Sequence, residues 1–270
     1  MRLLFIRHGE PDYKNDRLTP AGRQEAAALA ELAPSLNLNK EACFVSPLGR
    51  ARETASYTME KLGIKPHIVD WLEEFPVRID SSLFLEGENC VAELYGSYEP
   101  RFYEDGTPAS RVVWDMYPEY YLDHPEMLDR NEWRKSAVAQ YTNMADTYDR
   151  VTKSFDELLA AYGYIRNAAA GERCYRVEKE NEITLTFFCH FAITSVLLSH
   201  LWNVSPFVLL QSTCLLPGSV TECVTEERKQ GAAVFRTLRL GDTTHLTLAG
   251  IRPSFAARFC ERYSNKQQRH

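Results

Sequence analysis

The 270-residue chain lacks any uninterrupted apolar run long enough for a bilayer. The stretch from Ile183 to Thr221 has no Asp, Glu, Lys or Arg, but His190, His200, Asn203, Pro206, Gln211 and Pro217 interrupt it. A membrane span needs about 20 predominantly apolar residues in a row, so this stretch reads as a buried strand followed by a buried helix. The apolar run Leu3 to Ile6 is too short for a secretory leader, and charge returns at Arg7. No Lys/Arg-rich block suggests nucleic acid. The net charge is −6, and the one basic cluster, Lys266 to Arg269, reads as a solvated tail. Paired cysteines are also missing. The seven (Cys43, Cys90, Cys174, Cys189, Cys214, Cys223, Cys260) are odd in number, none forms CxxC, and several sit in apolar runs. Free thiols in a reducing cytoplasm are the expectation. GxSxG, P-loop, HExxH and GxGxxG motifs are absent. A hydrophobic fraction of 44% with 25% charged residues excludes a disordered or fibrous chain. The sequence carries no pattern that sets an oligomeric state.

What is present is an alternation of strand and helix signals. Arg2 to Arg7 is a short apolar run that suits a strand buried on both faces. Thr19-Pro20 supplies an N-cap and a first-position proline, and good helix formers run to Ala33 before Pro34. Cys43 to Val45 reads as a second strand. Ser46-Pro47 repeats the capped start of a helix reaching about Leu62, with Gly63 ending it. His67 to Val69 is a third strand candidate. This β-α-β-α-β order predicts an α/β fold, a three-layer α/β/α sandwich with a mostly parallel central sheet. Downstream, the pattern predicts a helix from about Ser136 to Tyr162 and strands at Glu182–Cys189, Ser219–Glu226 and Ala233–Leu240. Gln230-Gly231 would turn the last pair into a hairpin.

The segment from Pro76 to about Lys135 differs. It holds six tyrosines and two tryptophans and nets −7, leaving +1 for the rest. Its length without a clear period predicts a cap insertion, at about 76–135, within a single domain spanning 1–270.

The chemistry concentrates in four places. Arg7-His8-Gly9-Glu10 ends the first strand, and ligands in open α/β sheets bind at carboxyl ends of strands. An Arg fork matches phosphate oxygens, and an imidazole nitrogen can attack phosphorus and hold it. Leu18-Thr19-Pro20-Ala21-Gly22-Arg23-Gln24-Glu25-Ala26 follows closely. Val45-Ser46-Pro47-Leu48-Gly49-Arg50-Ala51-Arg52-Glu53-Thr54-Ala55 comes next. His190 ends another buried strand.

Together these resemble the histidine phosphatase superfamily, also called phosphoglycerate mutase-like. The likeness is specific from Leu3 to about Thr58, fair from Thr184 to His200, and weak near Gly241 to Leu246. The resemblance implies that His8 accepts the phosphoryl group while Arg7, Arg50 and His190 hold its oxygens. Arg50 takes the family position because it precedes Ala51, and Arg52 reads as a surface residue. A general acid is implied after the third strand. In Trp71-Leu72-Glu73-Glu74-Phe75, Glu74 is the better register and Glu73 the alternative. Because the two are adjacent, only one should reach the pocket. The acid would protonate the leaving oxygen, then activate water against phosphohistidine. The mechanism so implied needs no metal and no cofactor.

The chain departs from the family pattern in two places. Phe191-Ala192 replaces Gly-Gly after the second His. The family's Asn after the first motif has no clean match, with Asn15 or Lys14 as stand-ins. His245 fits a family position near the last strand and reads as structural. The expected activity is phosphomonoester hydrolysis through phosphohistidine, on a small phosphorylated metabolite in the cytoplasm, without nucleic-acid or membrane partners. The short path from the first motif to Leu18-Thr19-Pro20 favours phosphatase over a phosphoglycerate mutase-type phosphotransfer. A non-catalytic phospho-ligand module would be expected to lose His8, Arg50 or His190, and none is lost. An acidic, aromatic cap predicts a singly phosphorylated substrate whose organic part is uncharged or cationic.

Overall fold

The structure, a computed structural model, describes residues 1–167, 173–254 and 264. Cys260, the Lys266–Arg269 cluster and His270 lie outside the described residues. In chain order the elements are β1 (Arg2–Arg7), β2 (Pro11–Asp12), β3 (Arg17–Leu18), α1 (Pro20–Leu32), β4 (Cys43–Val45), α2 (Gly49–Leu62) and β5 (His67–Ile68). Then come β6 (Arg78–Ile79), β7 (Arg111–Val112), α3 (Pro118–Asp123), α4 (Ala137–Gln140), α5 (Met144–Ala161), β8 (Tyr164–Arg166) and β9 (Tyr175–Val177). The chain continues with β10 (Thr184–Cys189), α6 (Phe191–Trp202), α7 (Pro206–Ser212), β11 (Val220–Lys229), β12 (Ala232–Asp242) and α8 (Thr244–Leu248).

Two compact units result. The first comprises 1–75, 156–194 and 214–270; the second comprises 76–155 and 195–213. The first holds an eight-stranded sheet in the order β5-β4-β10-β1-β11-β12-β9-β8. β5, β4, β10 and β1 run parallel, whereas β1 pairs antiparallel with β11, and every pair beyond it is antiparallel. The sheet is therefore mixed, not mostly parallel as the β-α-β pattern predicts. The expectation holds only where helices connect the strands. A two-stranded hairpin needs no crossover, and Gly231 at φ 75° turns β11 back into β12.

β1 sits inside the sheet, so residues on both its faces are buried. Leu4 and Ile6 share a core with Leu29 of α1, Val45, Ala55 and Met59 of α2, and Phe188. On the other face, Phe5 stacks on Phe187 at 5.1 Å, and Phe44 and Trp71 lie 5.5 and 6.2 Å from Phe187. Thr19 caps α1 through its hydroxyl on the Gly22 N–H, with Pro20 first in the helix. Gly63 closes α2 at φ 62°, ψ 46°. α2 begins at Gly49, two residues later than the Ser46-Pro47 signal predicts, and Leu48, its N-cap, makes no side-chain bond. The predicted Ser136–Tyr162 helix is divided into α4 and α5, because Thr142 turns its hydroxyl onto the Val138 carbonyl at 2.7 Å.

The second unit has its own core. Trp133 lies 5.3 Å from Tyr148 and 6.2 Å from Phe207, and Tyr121 lies 6.3 Å from Phe207. Tyr98 stacks near Phe84 at 4.6 Å. Of the eight Tyr and Trp residues between 76 and 135, Tyr98, Trp114, Tyr120, Tyr121 and Trp133 are buried, while Tyr95, Tyr103 and Tyr117 are exposed. Most of these rings therefore pack the unit that carries them. Among the described residues, no helix is long and apolar enough to cross a membrane, and no disulfide joins two of the described cysteines.

Candidate active site

β1 and β10 are parallel neighbours in register, with Arg7 opposite Cys189. The residues that follow them, His8 and His190, therefore emerge side by side at the carboxyl edge. Their ring centroids are 5.0 Å apart, tilted by 59°. Both rings are buried, at 1% and 0% exposure. Gly9 and Gly22 bring the His8 turn and the start of α1 into backbone contact: a Cβ on Gly22 would overlap the Glu10 carbonyl.

The tautomer of His8 follows from its neighbour. His8 Nδ1 lies 2.7 Å from the Gly9 carbonyl oxygen, which can only accept, so Nδ1 carries the proton. Nε2 is left as the lone-pair nitrogen, buried and without a partner among the described residues. Burial pushes the His8 pKa well below its ordinary value; Arg7 and then Arg50 act in the same direction. The ring stays neutral with a free electron pair, as a nucleophile requires.

His190 is oriented by a residue that the sequence placed at a helix start. Ser46 Oγ is 2.7 Å from His190 Nε2 and 3.3 Å from the Leu48 N–H. Its oxygen accepts from Leu48. With its hydrogen directed at Nε2, Nδ1 carries the proton of the neutral ring, and Nδ1 has no partner among the described residues. Burial, His8, Arg50 and Arg7 all hold the His190 pKa well below the usual value.

The two guanidinium groups are nearly buried, at 5% for Arg7 and 8% for Arg50. Arg7 Nη1 donates to the Leu215 carbonyl, and its plane lies 5.6 Å from the Phe191 ring centroid. Phe191, where the family pattern has Gly, thus packs against the first arginine. Arg50 and Arg52, two apart on α2, point to opposite sides, and Arg52 is exposed. Arg50 Nη1 donates to Asp16 Oδ1 at 2.6 Å, and Tyr13 covers it at 5.4 Å. The Nε atoms of both arginines are buried and unpartnered among the described residues.

Of the adjacent glutamates, Glu74 reaches this region. Its Oε1 accepts from Ala192 N at 2.9 Å, Ile193 N at 3.3 Å and Phe75 N at 3.1 Å. The carboxyl sits at the N-terminus of α6, directly after His190, where orphan N–H groups favour an anion. Burial nonetheless raises the Glu74 pKa, against the opposing pull of Arg7 and Arg50. Glu73 makes none of these contacts. Asn15 is not brought to the imidazoles. It is exposed, and its side chain donates to Asp12 Oδ2 at 2.7 Å. Lys14 is exposed as well. His245 is buried in α8.

Sequence reasoning missed two carboxylates. Asp16 grips Arg50, and the one available signal was its place beside Asn15. Glu25 is buried; it accepts from Glu10 N at 2.7 Å and Ser254 N at 3.0 Å, and burial raises its pKa. Its position within the Gly22–Ala26 stretch looked like an ordinary helix surface. Among the described residues, no group of three or more His, Cys, Asp or Glu is arranged to hold a metal ion.

The arrangement offers one unprotonated nitrogen, one N–H donor, two guanidinium groups and one carboxyl of raised pKa. The model of the histidine phosphatase superfamily (branch 1) matches residues 3–97. No curated protein sequence matches the chain. Among solved structures, a mutant phosphoserine phosphatase from Entamoeba histolytica in complex with phosphoserine is 18% identical with a TM-score of 0.51, covering 91% of this chain and 98% of that one. YhfR of Bacillus stearothermophilus gives the same figures. A mycobacterial glucosyl-3-phosphoglycerate phosphatase with inorganic phosphate is 17% identical, TM-score 0.51, covering 90% and 98%. At such identities the likeness is one of fold. The family match is carried by the segment that supplies Arg7, His8, Arg50 and Glu74.

Proposed function

We propose that the protein is a metal-independent phosphomonoester hydrolase that works through phosphohistidine at His8. One observation carries this reading: the unpartnered Nε2 belongs to a buried His8 ring that lies 5.0 Å from the His190 ring and feels the charges of buried Arg7 and Arg50. A phosphoryl group has near-double negative charge, spread over its equatorial oxygens in the transition state. Two guanidinium groups and the His190 Nδ1–H supply donors for those oxygens. His8 Nε2 attacks phosphorus, and the bond to the leaving oxygen breaks. Glu74, whose pKa burial raises, gives that oxygen its proton. Ionised Glu74 then takes a proton from water, which attacks phosphohistidine and restores neutral His8 and inorganic phosphate.

The substrate class is a small phosphorylated metabolite. The similar structures include phosphatases whose named ligands or substrates, phosphoserine and glucosyl-3-phosphoglycerate, are of that kind. The buried thiols of Cys43, Cys189 and Cys223 fit a cytoplasmic setting, and the layered α/β/α arrangement belongs to the same reading. The test is turnover of a generic aryl phosphate. Activity that survives EDTA and disappears in His8→Ala, with acid-labile phosphate trapped on the wild-type chain, supports the hydrolase. Saturable phosphate binding without turnover from pH 5 to 8 would instead point to a phospho-ligand module.

A further inference from the structure

We propose that Asp16 is a positioning residue for Arg50, and that the β2–β3 turn is the arm that aims this arginine at a phosphoryl group. This rests on the phosphoryl-site reading given above. Asp16 uses both carboxylate oxygens: Oδ1 accepts from Arg50 Nη1 and Oδ2 from the Gly49 N–H, each at 2.6 Å. One side chain therefore caps α2 and fixes the end of the guanidinium that emerges one residue later. Helix α2 needs this outside cap because Leu48 has no donor or acceptor and Ser46 is engaged by His190.

The turn is built to present that carboxylate. Asp12 accepts from the Asn15 backbone at 3.4 Å and from its side chain at 2.7 Å, closing the tip between β2 and β3. Asp16 follows at φ 47°, a left-handed conformation that Asp tolerates better than most residues. The Asp16 carbonyl then lies against Gly49, where any Cβ would overlap it. Tyr13 of the same turn covers the guanidinium. With Nη1 held by the carboxylate and one face covered, Arg50 has one edge left to offer an oxyanion, and its Nε is unpartnered among the described residues. The Asp16 side chain is 41% exposed, so its contribution is geometric more than Coulombic. Asn15, a candidate for direct phosphate contact on sequence grounds, acts one step removed, by shaping the turn.

The test is orthovanadate titration of the full chain, by calorimetry, in a double-mutant cycle. Asp16→Ala is expected to weaken vanadate binding about tenfold, the scale of one charge-assisted hydrogen bond. Asp16→Asn should weaken it too, because the amide presents one acceptor to two donors. In an Arg50→Ala background, Asp16→Ala should add less than about twofold, since coupled residues are non-additive. Binding by Asp16→Ala as tight as wild type, or tighter, would overturn the proposal, as would full additivity. Where Asp16→Ala does not fold, Asn15→Ala and Tyr13→Ala serve, each expected to weaken binding in a way that disappears in Arg50→Ala. An intact cycle without aryl phosphate turnover removes the hydrolase and keeps the arm. Wild-type protein that binds no vanadate removes both.

Discussion

The hydroxyl of Ser46 and the Nε2 of His190 lie 2.7 Å apart, across 144 positions of sequence. The same hydroxyl accepts from the Leu48 N–H ahead of α2 and meets the imidazole. Ser46→Ala should free His190 to adopt either tautomer, with the Nδ1–H donor present only part of the time. The expected loss in kcat/KM on an aryl phosphate is about tenfold, the cost of roughly one hydrogen bond. Nitrogen-15 NMR of the His190 ring should show the tautomer shift, and wild-type kinetics in the variant would remove the orienting role.

Glu74 and Glu73 are separated by one residue of backbone and by their surroundings. Glu74→Gln should lower kcat about 100-fold or more with a poor leaving group, in line with loss of general acid catalysis. The deficit should shrink for activated aryl phosphates, whose leaving groups need no proton. Glu73→Gln should stay within about twofold of wild type, because Glu73 makes none of the contacts that hold Glu74 at the start of α6. Equal effects of the two substitutions across a leaving-group series would contradict the assignment.

The pH profile has a definite shape. His8 must be unprotonated, and its lowered pKa places the acid limb below the ordinary imidazole range. Glu74 must be protonated, and its raised pKa carries activity above the ordinary carboxylate range before the alkaline limb begins. Glu74→Gln should remove the alkaline limb of kcat/KM and leave the acid limb. Stability follows from the same imidazoles. His8 and His190 bind protons less readily folded than unfolded, so the unfolded state gains protons as pH falls below the unfolded value. Stability should fall in that window by up to about 1.4 kcal/mol per pH unit for each ring. Urea melts from pH 8 to 5 check the slope, and His8→Gln should flatten it.

Backbone contact at Gly22 is a separate prediction. Gly22→Ala places a methyl group on the Glu10 carbonyl, a backbone atom that cannot swing away. A loss of about 2–3 kcal/mol in urea is expected, the range for an overpacked site. Gly63→Ala, where a Cβ meets nothing within 4 Å but φ is 62°, should cost nearer 1 kcal/mol. Similar losses at both positions would argue against the close approach.

Local chemistry made much of this legible in sequence. β1 spans Arg2–Arg7 as its apolar run predicts, Thr19-Pro20 starts α1, and Gly63 ends α2. Each depends on residues within one turn of one another. His8 and His190 could be named because each follows a buried strand, and the parallel register of β1 with β10 then places their rings together. The mixed character of the sheet was not legible. Whether β11 joins β1 antiparallel is decided by which edge of β1 remains open after β10 has paired, and no local propensity encodes that.

By itself the sequence determined which residues carry the charge, which imidazoles follow buried strands and where α1 starts and α2 ends, because these are properties of side chains and of neighbours a few positions away. Only the tertiary structure decided that Glu74 rather than Glu73 meets the start of α6, that Ser46 meets His190, and that Asp16 rather than Asn15 reaches Arg50. The physical reason is common to all three. A hydrogen bond is satisfied by whichever partner arrives within about 3 Å, and which partner arrives is set by strand register and backbone approach over many tens of residues.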